Sequence, residues 1–188
     1  MDGEIVDELK NEQSISLLFK NMITVNMVTT LVYYTNKRIA NLGLNQNNVS
    51  VVEIYAYIGL LILFGLGNKN NVDIDLLWSD KCLVHFCLYA SVTFSRERFQ
   101  LISRYLCFDD IDTRVNRTEN KFHKMEATFN LFKKNLNHVK PSYFLCIGET
   151  LYGFRGSCSF RQFIPSKPAR YGIKFWCLVD VKLGIYKH

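Results

Sequence analysis

The residues able to do chemistry concentrate in the stretch from Tyr143 to Asp180. Two carboxylates, Glu149 and Asp180, flank a basic segment in which Phe, Tyr and Trp alternate with cationic side chains. The basic residues between them are Arg155, Arg161, Lys167, Arg170 and Lys174. Carboxylates are the oxygen donors that Mg²⁺ prefers, and cationic residues beside aromatic ones are typical of surfaces that hold phosphates and stack bases. The stretch therefore has the side chains of a nucleic-acid site.

The charge distribution also separates this stretch from the rest of the chain. Of the 188 residues, 23 are Lys or Arg and 17 are Asp or Glu. Seven basic residues and one acidic residue, Asp180, follow Thr150, so the whole formal net charge of +6 lies in residues 151–188. A basic aromatic segment indicates a nucleic-acid interface, while a solvated, solubilising surface is the alternative for any run of charge. Composition alone leaves both open.

Short motifs follow one another through the same stretch. In chain order they are Ile147-Gly148-Glu149-Thr150, Gly153-Phe154-Arg155-Gly156, Phe160 to Pro168, and Arg170-Tyr171-Gly172-Ile173-Lys174. This series resembles the piggyBac family of DNA transposases, in which an Ile/Val-Asp-Glu strand end precedes Gly-Phe-Arg-Gly, Phe-Arg-x-Tyr/Phe-Ile-Pro-x-Lys-Pro and Lys/Arg-Tyr-Gly-Ile-Lys. The resemblance extends from about Val51 to Ile185 and is densest after Tyr143.

One position departs from the family's pattern. Gly148 stands where the family has the first aspartate that holds its catalytic Mg²⁺ ions. Glu149 is a poor substitute, because successive side chains of a strand point to opposite faces and rescue would need a bulge or a register shift. Asp180 precedes a predicted hairpin turn. We therefore expect no catalytic residue and no bound metal in this chain, and catalysis by it alone is not expected.

The resemblance implies a nuclear, DNA-associated, transposase-derived protein without cleavage activity, since the family's later carboxylates are also absent before His188. It implies that Arg155, Arg161, Lys167, Arg170 and Lys174 hold DNA phosphates. Two alternatives stay open. One is a domesticated module for protein interaction, acting as a homodimer or as a dimer with full-length relatives. The other is a decayed transposon fragment without function.

The elements that must position these residues are helices followed by strands, which predicts an α+β fold. Residues 1–13 are predicted to be disordered. Residues 14–140 are predicted to form a helical domain of the dimerisation or DNA-binding type. Residues 141–188 are predicted to form the first two to three strands of an RNase H-like domain, which the resemblance implies and which would be truncated here.

Local signals place most of these elements. Apolar spacing predicts one or two helices between Ile15 and Asn41, and the capping box of Ser50 and Glu53 predicts a helix to about Leu66. Ser95 is a predicted N-cap. A later helix has a predicted core face of Phe122, Met125, Phe129, Phe132 and Leu136. The predicted strands are Tyr143–Thr150, Tyr171–Val179 and a short one from Ile185.

Other site types are less well supported. Asp109 and Asp110 are interpreted as a helix C-terminal loop rather than a metal site, since no third ligand lies nearby in sequence. The six cysteines occur singly and predict free thiols in a reducing compartment. The longest uncharged run, Ile54 to Asn68, is shorter than the roughly 20 residues needed to span a bilayer. No membrane partner is therefore expected.

Overall fold

A computed structural model of the chain describes residues 15–66, 73–79, 85–117, 120–136, 141–181 and 185–187. Residues 1–13, which we predicted to be disordered, lie outside these ranges. Helices precede an antiparallel sheet, which confirms the predicted α+β class. The chain divides into two compact units, Val25–Asp112 and the combination of Met1–Thr24 with Thr113–His188. Among the described helices, none is long and apolar enough to cross a membrane.

The helices in chain order are α1 (Ile15–Met22), α2 (Val25–Asn41), α3 (Val51–Leu66), α4 (Ile74–Leu77), α5 (His85–Thr93), α6 (Arg96–Tyr105) and α7 (His123–Asn135), with a 3₁₀ helix at Ile111–Arg117. The strands are β1 (Leu145–Gly153), β2 (Gln162–Phe163), β3 (Tyr171–Asp180) and β4 (Ile185–Lys187). The predicted helical region from Ile15 to Asn41 is therefore two helices.

The first unit, Val25–Asp112, is built around α3. The predicted capping box begins this helix: the Ser50 N–H donates to Glu53 Oε2 at 2.8 Å, and the Glu53 N–H donates to Ser50 Oγ at 3.2 Å. Helix α3 contacts α2 and α5. Its side chains Ile54, Leu60 and Phe64 are buried. An apolar helix with a satisfied N-terminus is thus the core element of this unit.

Trp78 joins α3 to α6. Its ring centroid lies 5.0 Å from that of Phe99 and 6.3 Å from that of Phe64. Its indole N–H donates to the Phe94 carbonyl at 2.8 Å, which satisfies its polar atom. Ser95 caps α6 as predicted, because its Oγ accepts the Arg98 N–H at 3.2 Å.

The acidic residues that follow α6 form a structural ion-pair cluster. The Lys37 ammonium lies 2.7 Å from Asp110 Oδ1 and 2.6 Å from Asp112 Oδ2. Hydrogen bonds to both carboxylates raise the pKa of Lys37 above its ordinary value. The two carboxylates therefore share one cation of the protein itself, and Asp109 is buried beside them. The interpretation of this segment as a loop agrees with the structure.

The second unit combines α1, α7 and the sheet. Helix α1 contacts α7, and Asn135 Nδ2 donates to the Met22 carbonyl at 2.9 Å. The predicted core face of α7 is only partly correct, because Leu136 is buried whereas Met125 is 42% exposed. Helix α7 belongs to the same compact unit as the strands. The predicted domain boundary at residue 140 instead placed this helix with the other helices.

The sheet is antiparallel, in the order β1-β3-β2, with β4 also paired to β3. Strand β1 begins two residues later than predicted and continues to Gly153. β3 and β4 form the predicted hairpin, with Asp180 opposite Ile185. The two-residue strand β2 was not predicted, since it is too short to show a periodic pattern.

Candidate nucleic-acid interface

The position of the family's first carboxylate lies in a regular part of the sheet. β1 and β3 pair without interruption from Leu145 opposite Asp180 to Gly153 opposite Gly172. Gly148 lies opposite Cys177, and Glu149 lies opposite Trp176. Because the register contains no bulge, Gly148 and Glu149 belong to opposite faces of the sheet. The pairing therefore shows neither the bulge nor the register shift that rescue by Glu149 would need.

The donors on this sheet do not fit the pair of Mg²⁺ ions that the resemblance implies. Gly148 offers no side-chain oxygen, although a Cβ added there would meet no atom within 4 Å. Its face instead carries Cys177, whose thiol donates to Thr150 Oγ1 at 3.7 Å. Within the described residues, no three His, Cys, Asp or Glu side chains converge to hold a metal ion.

Asp180 is committed to a structural contact. Its side chain is buried, and Ser142 donates to it twice, from the backbone N–H at 2.6 Å and from Oγ at 2.9 Å. These bonds join the end of β3 to the segment entering β1. A buried carboxylate with such partners is already satisfied by protein donors. Sequence reasoning missed this role, because Ser142 lies 38 residues away and no local pattern connects the two.

The opposite face of the sheet brings two of the predicted phosphate-binding lysines to Glu149. Lys167 Nζ lies 3.6 Å from Glu149 Oε1, and Lys174 Nζ lies 3.7 Å from Glu149 Oε2. Lys167 also donates to the Glu149 carbonyl at 3.1 Å. The Lys174 ammonium lies 4.7 Å from the ring centroid of Trp176. The three charged groups form one half-buried cluster, with Trp176 beside it.

Arg161 braces the turn that contains the Gly-Phe-Arg-Gly motif. Its Nη1 donates to the carbonyls of Arg155 and Gly156, each at 3.1 Å. Its guanidinium carbon lies 5.6 Å from the ring centroid of Tyr171. Arg161 is exposed, so it can still face a ligand. Part of its hydrogen-bonding capacity nevertheless holds the loop in shape.

Arg155 and Arg170 differ from the other three basic residues. Both are exposed, and neither guanidinium has a hydrogen-bond or ion-pair partner among the residues that the structure describes. Arg170 has φ of 52°, in the left-handed region. It ends a compact turn in which the Ile164 N–H donates to the Arg170 carbonyl at 2.7 Å and the Arg170 N–H donates to the Lys167 carbonyl at 3.0 Å. The turn presents the Arg170 side chain to solvent.

All five predicted DNA-binding residues thus belong to the loops and strands of one unit. Two of them face solvent, one braces a turn and two pair with Glu149. Large exposed rings accompany them and were not singled out from sequence: Tyr152, Phe163, Tyr171 and Trp176 are between 52% and 62% exposed. The sequence signal for them was the alternation of aromatic and basic residues. The arrangement can present cations and ring faces together.

Comparisons with known proteins identify the family of the chain. Residues 16–186 match the family model described as Transposase IS4. The chain is 25% identical over 152 residues, 80% of its length, to the human piggyBac transposable element-derived protein 3, and likewise to the human chimeric ERCC6-PGBD3 protein. It is also similar to a piggyBac transposase solved by cryo-electron microscopy as a synaptic complex with hairpin DNA, with a TM-score of 0.89 and 30% identity over the whole chain.

The matched proteins are longer than this chain. It spans 25% and 14% of the two human relatives and 40% of the solved transposase chain. The structural match nevertheless covers every part of the present chain and confirms the fold class predicted above. The chain therefore belongs to the Transposase IS4 family, as a transposase-like protein of the piggyBac type.

Proposed function

We propose that this protein is a transposase-derived, DNA-associated protein of the nucleus that binds the phosphate backbone and does not cleave it. One observation carries the proposal: Arg155 and Arg170 present solvent-facing guanidinium groups in the segment that holds the entire net positive charge. Guanidinium groups bind phosphate oxygens through paired hydrogen bonds. The similar transposase was solved with hairpin DNA, which supports the same ligand class here.

The donor set supports the proposed lack of cleavage. Residue 148 has no carboxylate, Glu149 belongs to the other face, and Asp180 is satisfied by Ser142. Strand cleavage with two metal ions needs several convergent oxygen ligands. Because there is room for a side chain at residue 148, Gly148→Asp should fold normally. We expect that this variant still shows no Mg²⁺-dependent nicking of plasmid DNA, since one carboxylate does not complete the site.

The binding proposal is tested by removing the two solvent-facing charges. The variant Arg155→Gln/Arg170→Gln is compared with Lys124→Gln/Lys134→Gln, which removes two exposed charges from α7 in the same unit. Affinity for a labelled duplex is measured by fluorescence anisotropy at several salt concentrations. Each lost phosphate contact flattens the slope of log K against log salt by about 0.9.

We expect the loop variant to bind about tenfold more weakly at low salt, with a slope about 1.8 smaller, and the helix variant to change less. Absence of binding by the unmodified chain would overturn the proposal. If both variants lose the same affinity, DNA is attracted by overall charge alone. The assignment of the phosphate contacts to Arg155 and Arg170 would then be wrong.

A second candidate function, an interaction or dimerisation module, is favoured by apolar side chains at the surface of the first unit. Leu66 of α3 is 75% exposed, and Leu88 and Val92 of α5 are 61% and 86% exposed. Helices α3 and α5 contact each other, and exposed apolar residues on neighbouring helices indicate a protein-binding surface where they form one patch. This function predicts a concentration-dependent dimer in light scattering that Leu88→Gln/Val92→Gln abolishes. A fragment without retained function would show neither association nor DNA binding.

A further inference from the structure

The anion partner of Lys167 and Lys174 is a carboxylate from the protein itself. Each ammonium group faces a different oxygen of Glu149, at 3.6 Å and 3.7 Å. These separations exceed the usual 2.7 to 3.2 Å of a direct hydrogen bond. By contrast, Arg98 Nε lies 2.7 Å from Glu53 Oε1 in the other unit, which is a direct hydrogen-bonding distance. The carboxylate of Glu149 is therefore a loosely held counter-ion.

Both lysines have an anchor that does not depend on this carboxylate. Lys167 donates to the main-chain carbonyl of residue 149, a bond that survives any side-chain change there. Lys174 is carried by β3 and rests against the Trp176 ring. The pair would consequently stay in place if the carboxylate turned away. The Glu149 side chain is 34% exposed, so its carboxylate can rotate away from the lysines into solvent.

We propose that Lys167 and Lys174 form a phosphate site which Glu149 occupies in the free protein, and that a DNA phosphodiester displaces the carboxylate. A phosphodiester carries one negative charge and two free oxygens, like the carboxylate that it replaces. Glu149 is then an internal competitor that lowers DNA affinity. This inference rests on the proposed DNA binding and adds to it a competition within the site.

The opposite role is a clear alternative. If Glu149 served to position the two lysines, its removal would scatter them and weaken binding. If it competes, removal frees two cations and strengthens binding. The two roles therefore predict changes of opposite sign for the same substitution.

The experiment compares Glu149→Gln with Glu97→Gln in the full chain. Glu97 is an exposed acid at the start of α6 and gives the same change in net charge. Affinity for a labelled duplex is measured by anisotropy over a series of salt concentrations, and circular dichroism checks that each variant is folded.

Two weak, partly exposed ion pairs are removed, so we expect Glu149→Gln to bind roughly three- to tenfold more tightly at low salt. Its salt slope should steepen by up to about 1.8, equivalent to two phosphate contacts. Glu97→Gln should show a smaller gain, and adding Lys167→Gln and Lys174→Gln should abolish the gain of Glu149→Gln. Unchanged or weaker binding by Glu149→Gln, or an equal gain from Glu97→Gln, would overturn the inference.

The outcome separates this inference from the proposed function. If the unmodified chain binds DNA through Arg155 and Arg170 but Glu149→Gln brings no gain, competition is refuted and DNA binding stands. If neither the unmodified chain nor Glu149→Gln binds DNA, both proposals fail.

Discussion

The contact between Asp180 and Ser142 allows a structural role and a metal-binding role to be told apart. The proposed change is Asp180→Asn, which keeps the size of the side chain and removes its charge. The carboxylate accepts two hydrogen bonds from Ser142, at 2.6 and 2.9 Å, in a buried position. The oxygen of Asn can accept the bond from the backbone N–H, whereas the NH₂ group in place of the other oxygen can only donate, to Ser142 Oγ. The substitution therefore weakens the join between β3 and the entry to β1.

The magnitude follows from these bonds. A hydrogen bond to a charged group contributes about 1.5 to 3 kcal/mol, against about 0.5 to 1.5 kcal/mol for a neutral pair, and both bonds lose this charge assistance. We expect the unit that contains the sheet to be destabilised by about 2 to 3 kcal/mol. Where amide exchange proceeds through unfolding of this unit, that loss corresponds to roughly 30- to 150-fold faster exchange.

The assay is hydrogen exchange followed by mass spectrometry. Peptides from β1 and β3 should lose protection in Asp180→Asn, while peptides from α3 in the other unit should not. Ser142→Ala tests the same contact from the other side: it removes the bond from Oγ to Asp180 and the 3.3 Å bond that Oγ accepts from the Phe144 N–H, so it should also reduce the protection of β1 and β3. Unchanged protection of β1 and β3 would refute the structural role. Protection that Mg²⁺ increases in the unmodified chain but not in Asp180→Asn would indicate a metal ligand instead.

Two further predictions concern a charge and a glycine. The hydrogen bond from Arg98 lowers the pKa of Glu53 below its ordinary value of 4.5, so the stabilisation from this pair is fully present above about pH 4.5 and is lost as the pH falls through the lowered pKa. In thermal melts, Glu53→Gln should cost about 1 to 2 kcal/mol at pH 7, and its difference from the unmodified chain should shrink as the pH is lowered below about 4.5. At Gly172 an added Cβ would clash with the Tyr152 carbonyl oxygen, so Gly172→Ala should cost about 1 to 3 kcal/mol in urea unfolding, whereas Gly148→Ala, with open space, should change stability by less than about 1 kcal/mol. Equal effects at the two glycines would contradict this account.

Local signals explain what the sequence predicted well. The capping box at Ser50 and the N-cap at Ser95 each involve residues three positions apart. A short stretch of sequence is therefore enough to predict them. Gly148 and Glu149 belong to opposite faces of the sheet because successive side chains of any regular strand alternate between the two faces. These features indicate where α3 and α6 begin and why the side chains of residues 148 and 149 belong to opposite faces of the sheet.

The missed features depend on distant partners. Lys167 reaches Glu149 only because the loop after β2 folds back onto β1, and no spacing rule indicates that return. Met125 has the periodicity of a core residue, yet the structure leaves it exposed. Periodicity shows which face of a helix is apolar but not how much of that face is covered. The basic residues could thus be identified from sequence, whereas their partners could not.

The division of the chain has a consequence for its synthesis. Helix α1 and its partner α7 belong to one unit, but Met22 and Asn135, which bond to each other, are 113 residues apart. At about 5 to 20 residues per second, a ribosome needs roughly 6 to 23 s to make the intervening chain. The uninterrupted unit Val25–Asp112 is made before Asn135 is reached. An eight-residue helix is too short to persist alone in water, so α1 leaves the ribosome first and acquires its stable form among the last.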